Sequence, residues 1–96
     1  MIHDERARAA QTRLNYPPGT RLELVSMSDP YAPIPSGTRG SVLHVDSIGT
    51  IHMQWDNGQG LGLVPGEDSF RKLTPQELAE ETQEMEQDSG VILWQL

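Results

Sequence analysis

The chain contains no cysteine, and this absence excludes a group of chemistries. Without a thiol there is no disulfide, no thiolate nucleophile and no cysteine-ligated metal site. The lack of cysteine fits the reducing cytoplasm, which is the localisation we predict. No apolar run is long enough to span a membrane, and the amino-terminal residues lack the apolar core of a signal peptide. We therefore expect no membrane association.

Aromatic side chains and positive charge are also scarce. Aromatic residues make up 5% of the chain, so we expect each of them to be a packing anchor or a contact residue. Seven basic residues against 14 acidic ones give a net charge of −7 at pH 7, which argues against general binding to a phosphate backbone. An acidic chain suits a basic protein partner, because long-range attraction speeds their encounter. The plainer alternative is that the acidic surface only keeps the protein soluble.

The first 15 residues favour a short amphipathic helix. Ala, Arg, Glu and Gln dominate this segment, and all four are good helix formers. Asp4 near its start and Arg13 near its end complement the helix dipole. A basic nucleic-acid-binding arm is the alternative, but the arginines are few and are mixed with acidic residues.

Residues 16–73 carry the pattern of short β-strands joined by turns. In RLELVSM, Leu22 and Leu24 alternate with Arg21 and Glu23, which is typical of a strand with one buried face. SDPYAPIPSG favours an extended loop, because proline cannot donate a hydrogen bond to a strand ladder. GSVLHV, GTIHMQW, LGLV and FRKL are further candidate strands, and DNG and PGED are turn signals. The pattern predicts a small, mainly β barrel of about five strands.

From Thr74 onward the sequence predicts an acidic helix followed by an apolar tail. TPQE is a capping box, in which Thr74 is the N-cap, Pro75 opens the helix and Glu77 reaches back. LAEETQEMEQ continues this helix, and the chain then reaches the apolar segment VILWQL. We therefore divide the chain into an amino-terminal helical arm (1–15), a barrel domain (16–73) and an acidic helix with a carboxyl-terminal tail (74–96).

The segment GTIHMQWDNG is best interpreted as a core-facing hairpin. Strand alternation places Ile51, Met53 and Trp55 on one face and leaves His52 on the outer face. His44, on the preceding strand, is likewise expected at the surface. Two histidines on adjacent strands can bind zinc, but no third convergent ligand is evident.

No catalytic constellation is visible either. Asp56, Glu67 and Asp68 could act as paired carboxylates, but Asp56 and Asp68 lie beside turns, where carboxylates commonly accept backbone N–H groups. The serines lie in no nucleophile elbow. We therefore predict that the protein is not an enzyme and that it uses no cofactor and no metal.

Within residues 16–73, three segments are the most distinctive: DPYAPIPSGTRG, IGTIHMQWDNG and LGLVPGEDSFRKL. With the sequence around them they resemble the small bacterial and phage family known as domain of unknown function 4314. The resemblance implies an SH3-like or KOW-like barrel encoded by a phage or mobile element. It implies no activity, because the function of that family is not established.

These features favour a non-enzymatic protein-binding module that acts as an adaptor or as an inhibitor of a host or element protein. In an SH3-like barrel, the loop after the first strand and the hairpin tips flank a groove that suits an extended peptide. The acidic helix and tail would add further contacts, and the tail would also suit a homodimer. The expected contact residues are Asp29, Tyr31, Ile34, Asn57, Glu81, Glu84 and Trp94.

Two alternatives stay open at this point. Tyr31 and the prolines around it could fold back over the barrel instead of lining a groove. A KOW-like barrel could instead bind RNA, although the acidic net charge makes nucleic acid an unlikely partner. RNA binding would need a basic patch formed by Arg21, Arg39, Arg71 and Lys72 together with the amino-terminal arginines.

The tail gives a first prediction, on the variant Trp94→Asp. If VILWQL covers an edge of the sheet, this variant lowers the free energy of unfolding of the monomer. If VILWQL forms a dimer or partner contact, the variant leaves the fold intact and abolishes association. Urea denaturation and sedimentation distinguish the two cases, and an unchanged result in both would exclude both roles.

Overall fold

The computed structural model describes residues 2–28, 31 and 34–83. Its first helix, α1, spans Ile2–Asn15. Four strands follow: β1 (Arg21–Ser26), β2 (Arg39–Val45), β3 (Ile51–Trp55) and β4 (Ser69–Lys72). A second helix, α2, covers residues 75–83. Both helices therefore begin where the sequence predicts them, and neither is long and apolar enough, in its described part, to cross a membrane.

The four strands form one antiparallel sheet in the order β3-β2-β1-β4. The segment LGLV, predicted as a fifth strand, contributes only an isolated bridge, in which Leu63 and Ile51 exchange two backbone hydrogen bonds of 2.8 and 2.9 Å. Within the described residues the sheet is open, with β3 and β4 at its edges. The mainly β prediction is confirmed, whereas five strands and a closed SH3-like barrel are not.

The core lies on the face of the sheet that strand alternation predicts. Leu22 and Leu24 on β1 are at most 1% exposed, and Ile51, Met53 and Trp55 on β3 are buried to the same degree. Burial of one such side chain contributes about 1.5–3 kcal/mol to folding. The prediction of a core-facing hairpin is therefore confirmed, since β3 contributes Ile51, Met53 and Trp55 to the core.

Trp55 is the largest side chain of this core, and its polar atom is satisfied there. Its indole Nε1 donates a 2.7 Å hydrogen bond to the carbonyl oxygen of Leu61. Across the sheet it packs against Gly40, where an added Cβ would lie 2.9 Å from the indole Cε3 and 2.9 Å from the carbonyl oxygen of Gln54. A side chain at position 40 would therefore collide with both the ring and the backbone of β3.

Helix α1 packs against the turn that joins β2 to β3. Ala9 is 2% exposed, and an added Cβ at Gly49 would lie 3.6 Å from its Cα. Gly49 has a φ of 89°, a conformation that glycine adopts without strain. Arg13 fastens the helix further, since its guanidinium donates to the carbonyl oxygens of Val45 and Asp46 at 3.4 and 3.3 Å. These contacts make one wall of the groove described below.

The contact between Gly40 and Trp55 gives a second prediction. We expect Gly40→Ala to lower the free energy of unfolding by about 1–3 kcal/mol, because the added methyl group overpacks the core. The matched control is Gly60→Ala, since the atom nearest to an added Cβ there is the Met53 carbonyl oxygen at 4.0 Å. Urea denaturation followed by circular dichroism measures both variants. Equal stability of the two variants would contradict this packing.

Candidate functional site

The contact residues expected from the sequence do not form one surface. Tyr31 is 90% exposed, so its side chain does not fold back over the sheet. Ile34 is 5% exposed and belongs to the core cluster, which corrects its assignment as a contact residue. Asn57 is exposed but stays within its own turn, where its Oδ1 accepts the backbone N–H of Gln59 at 3.0 Å. Asp29, Glu84 and Trp94 lie outside the described residues.

Glu81, the remaining expected contact residue, belongs to a network of charges on the outer face of the sheet. The network is built on Glu23, which lies opposite Arg39 on β2 and opposite Arg71 on β4. Its two carboxylate oxygens accept hydrogen bonds from these arginines, each at 3.1 Å. The register of three strands thus places one guanidinium group on each side of the Glu23 carboxylate.

Arg21 extends the network along β1. Its Nη1 donates to Asp56 Oδ1 at 2.8 Å and to Ser41 Oγ at 3.1 Å. Its Nε and Nη2 donate to the two oxygens of Glu81 at 3.1 and 3.0 Å. Asp56 was expected to accept backbone N–H groups at its turn, but its carboxylate binds Arg21 instead.

Helix α2 lies against this face through Glu77 and Glu81, which are one helical turn apart. Glu77 accepts two hydrogen bonds from Arg71, at 2.8 and 2.7 Å, and one from Arg39 at 3.0 Å. Glu81 binds Arg39 as well, at 3.3 Å. The predicted capping box is present too: the Thr74 N–H donates to Glu77 at 2.9 Å, and the Glu77 N–H donates to the Thr74 hydroxyl at 3.1 Å. Glu77 therefore caps the helix and fastens it to the sheet.

The charges in this network stabilise one another's ionised forms. Hydrogen bonds from Arg71, and next from the Thr74 backbone, hold the pKa of Glu77 well below its usual range. Hydrogen bonds from Arg21 likewise lower the pKa of Asp56 and of Glu81. The carboxylates in turn raise the pKa of the arginines. Asp56, Glu77 and Glu81 are thus ionised throughout the neutral range.

A second polar cluster lies at the other end of the β2–β3 hairpin. The rings of His44 and His52 stack, with centroids 4.4 Å apart, and both side chains are at the surface as predicted. His52 Nε2 lies 2.8 Å from Asp46, and this contact is the main reason why the pKa of Asp46 is lowered. In the described part of the chain, no three His, Cys, Asp or Glu side chains converge as metal ligands.

Asp68 has the backbone role that its position beside a turn predicts. It accepts the backbone N–H groups of Ser28 at 3.1 Å and Val64 at 2.8 Å. It therefore ties the β1–β2 loop to the segment before β4, and its carboxylate has a structural role.

A groove of about 730 Å³ is lined by α1, the β2–β3 turn and the segment before β4. Its apolar side is formed by Ile48, which is 83% exposed, and Val64, which is 37% exposed. Arg6 and Arg8 line its helical side, and neither forms an ion pair with any side chain that the structure describes. Glu5 lines the same side, so the groove combines exposed apolar surface with two arginines and one glutamate, a net positive charge.

Sequence reasoning missed this groove. In the sequence, the amino-terminal arginines suggest only a nucleic-acid arm, and Ile48 lies outside every candidate strand. An isoleucine in the turn DSIG was the available signal, since such turns usually carry polar residues.

A comparison with protein families bears on the whole of this architecture. The model of the family described as domain of unknown function (DUF4314) matches residues 5–73. The chain belongs to this family. The predicted resemblance over residues 16–73 is confirmed, and the match also includes most of α1. No curated protein and no solved structure matches the chain.

The DUF4314 match divides the charge network into two parts. Arg21, Arg39 and Arg71 lie inside the matched residues, together with Glu23 and Asp56. Glu77 and Glu81, on α2, lie beyond residue 73. The helix that covers the arginines therefore follows the region that the family model describes.

The network gives a third prediction, on acid stability. The pKa of Glu77 is lower in the folded state than the value of about 4.3 expected in the unfolded chain. Its contribution to stability is therefore complete above that unfolded value and is lost as the pH falls toward the folded value. We expect Glu77→Gln to be less stable than the wild type at pH 7, because its ion pairs are lost, and to lose less stability on acidification, because glutamine does not titrate. Glutamine keeps the capping box, so the difference reports the ion pairs.

The matched control is Glu80→Gln. Glu80 is exposed on the same helix and has only a 3.3 Å hydrogen bond from Gln76. Urea denaturation of wild type and both variants at neutral and acidic pH makes the comparison. The interpretation fails if the two variants show the same pH dependence.

Proposed function

We propose that this DUF4314 chain is a protein-binding module that takes an extended segment of a partner into the groove beside α1. The observation that carries the proposal is the groove itself, where exposed Ile48 and Val64 face a helix that bears Arg6 and Arg8. Peptide grooves commonly combine pockets for apolar side chains with a few charged groups that fix orientation. A segment with an apolar residue beside a carboxylate fits this combination.

The distribution of positive charge supports an acidic segment in particular. Arg21, Arg39 and Arg71 bind carboxylates of the chain itself. Arg13 donates to backbone carbonyls, and the Lys72 ammonium lies 5.1 Å from the centre of the Tyr16 ring. Of the seven basic residues, Arg6 and Arg8 are thus the pair without a described partner, and both lie at the groove. A protein of net charge −7 attracts an acidic ligand best at such a local positive site.

An adaptor role is favoured over inhibition by an acidic surface that imitates a nucleic acid. Glu77 and Glu81 face the sheet and already bind arginines, so they are not presented to a partner. RNA binding remains the alternative function. It is less well supported, because Arg21, Arg39 and Arg71, which would form the patch with Lys72 and the amino-terminal arginines, are bound by carboxylates. For the fold we propose an open SH3-like arrangement, in which the bridge between Leu63 and Ile51 stands in for a short fifth strand.

The fourth prediction tests the groove with a random-peptide display library selected on the full chain. We expect enriched peptides to contain an apolar residue next to Asp or Glu. Their binding, measured by fluorescence anisotropy, should weaken about tenfold in Ile48→Ser and in the double variant Arg6→Gln/Arg8→Gln, a loss of about 1.4 kcal/mol. The matched control is Leu14→Ser, since Leu14 is 76% exposed on α1 but does not line the groove.

Two results would contradict the proposal. One is a selection that enriches no peptide. The other is equal binding of the selected peptides to the Ile48→Ser and Leu14→Ser variants. A labelled single-stranded RNA is titrated in parallel at low salt, and salt-sensitive binding of this RNA would favour the alternative function.

A further inference from the structure

The outer face of the sheet brings three guanidinium groups together. Arg21, Arg39 and Arg71 come from three adjacent strands, and their side chains are 19–40% exposed. We call these residues the arginine face. Guanidinium groups bind carboxylates and phosphates with two parallel hydrogen bonds, so three of them on one face form a site for a ligand with more than one anionic group.

Helix α2 already occupies the arginine face in the way that such a ligand would. Glu77 binds Arg71 with both oxygens, and Glu81 binds Arg21 with both oxygens. Each of the two carboxylates also reaches Arg39, at 3.0 and 3.3 Å. The spacing of the three arginines therefore suits a ligand that carries two carboxylates one helical turn apart.

Charge pairs, with little apolar burial, hold α2 in this position. No side chain in residues 75–83 is buried, and Leu78 is 40% exposed. Glu77 and Glu81 are the members of the helix with partners on the sheet among the described residues. Ion pairs at this degree of exposure are weak and are screened by salt. The helix can therefore be displaced at a lower free-energy cost than an element with a buried apolar face.

We propose that the arginine face is a binding site for an acidic helix of a partner protein, and that α2 occupies this site in cis. The ligand presents two carboxylates at positions i and i+4, as Glu77 and Glu81 do. This site is distinct from the groove beside α1, and the inference does not depend on it. Partner binding releases α2 from the sheet.

The remaining charges on the face favour an acidic helix over a nucleic acid. Glu23 lies between Arg39 and Arg71, and Asp56 is bound to Arg21. These carboxylates interrupt the positive charge, so a continuous row of phosphates would meet repulsion at regular intervals. The chain as a whole carries −7, which also repels a polyanion. A ligand with only two spaced carboxylates avoids both penalties.

The tether of α2 determines how the site must be tested. A segment joined to its site by a short linker has an effective concentration on the order of millimolar. A free peptide at micromolar concentration therefore competes poorly with α2 in the wild type. Weakening α2 by Glu77→Gln/Glu81→Gln keeps the full chain and the capping box, and it leaves the arginine face intact.

The test uses a labelled peptide with the sequence of residues 74–83. It is extended by about ten Ala and Gln residues, because isolated helices shorter than about 12–15 residues are marginal in water. We expect the Glu77→Gln/Glu81→Gln variant to bind this peptide at least about tenfold more tightly than the wild type at low salt. Adding Arg39→Gln to that variant abolishes the gain, whereas adding Lys72→Gln preserves it. A peptide with Gln at the positions of Glu77 and Glu81 does not bind.

Three results would overturn the proposal. The first is a lack of peptide binding by the folded Glu77→Gln/Glu81→Gln variant. The second is binding that survives Arg39→Gln. The third is binding of single-stranded RNA in preference to the peptide, which would make the face a nucleic-acid site.

A second measurement keeps the test valid if the double variant fails to fold. The isotopically labelled wild type is titrated with the same peptide in unlabelled form at millimolar concentration, and the backbone amide signals are followed by NMR. Because the peptide carries the same carboxylates as α2, displacement is reported by α2 itself, and we expect shifts at residues 76–83 and none in α1. Shifts in α1 instead, or no shifts at all, would contradict the proposal.

Discussion

The fastening of α2 to the sheet by Glu77 and Glu81 is the interaction on which the rest of the surface depends. These two carboxylates bring three guanidinium groups into a neutralised cluster, and the strand register around Glu23 sets where those groups lie. Arg6, Arg8, Arg13 and Lys72 form no ion pair with a side chain that the structure describes, and Arg6 and Arg8 of these line the groove beside α1. The same fastening makes the position of α2 sensitive to pH and to salt, because it involves little apolar burial.

Two surfaces with related chemistry follow from this arrangement. The groove combines Ile48 with Arg6 and Arg8, and it is open to a ligand in the structure. The arginine face has a similar preference for carboxylates, but α2 covers it. A partner with an acidic segment could therefore bind the groove directly, whereas the arginine face responds only to a ligand that displaces α2. Both proposals concern acidic segments of protein partners, and since the net charge of −7 repels such segments at long range, each proposal depends on the local guanidinium groups.

Sequence patterns predicted the features that depend on a few neighbouring residues. Alternation in β3 placed Trp55 in the core because side chains along a strand point to opposite faces, and TPQE located the start of α2 because a capping box needs only four residues. LGLV was too short for its pattern to separate a strand from a single bridge. The charge network was not predicted, because its partners are up to 60 residues apart in sequence and meet only once the register of three strands is known. Asp56 illustrates this limit. Its position beside a turn favours a carboxylate that accepts backbone N–H groups, but in the structure the carboxylate accepts hydrogen bonds from Arg21.

Amide hydrogen exchange on the full wild-type chain, at low and at high salt, tests the central claim most directly. If charge pairs hold α2 on the sheet, the amides of residues 76–83 exchange faster as salt rises, while those of β1 and β3 keep their protection. Leu78 is the most informative position, because its N–H donates to the Thr74 carbonyl oxygen in the first turn of the helix. Exchange in α2 that does not change with salt would contradict the account, since it would mean that contacts other than these ion pairs hold the helix in place.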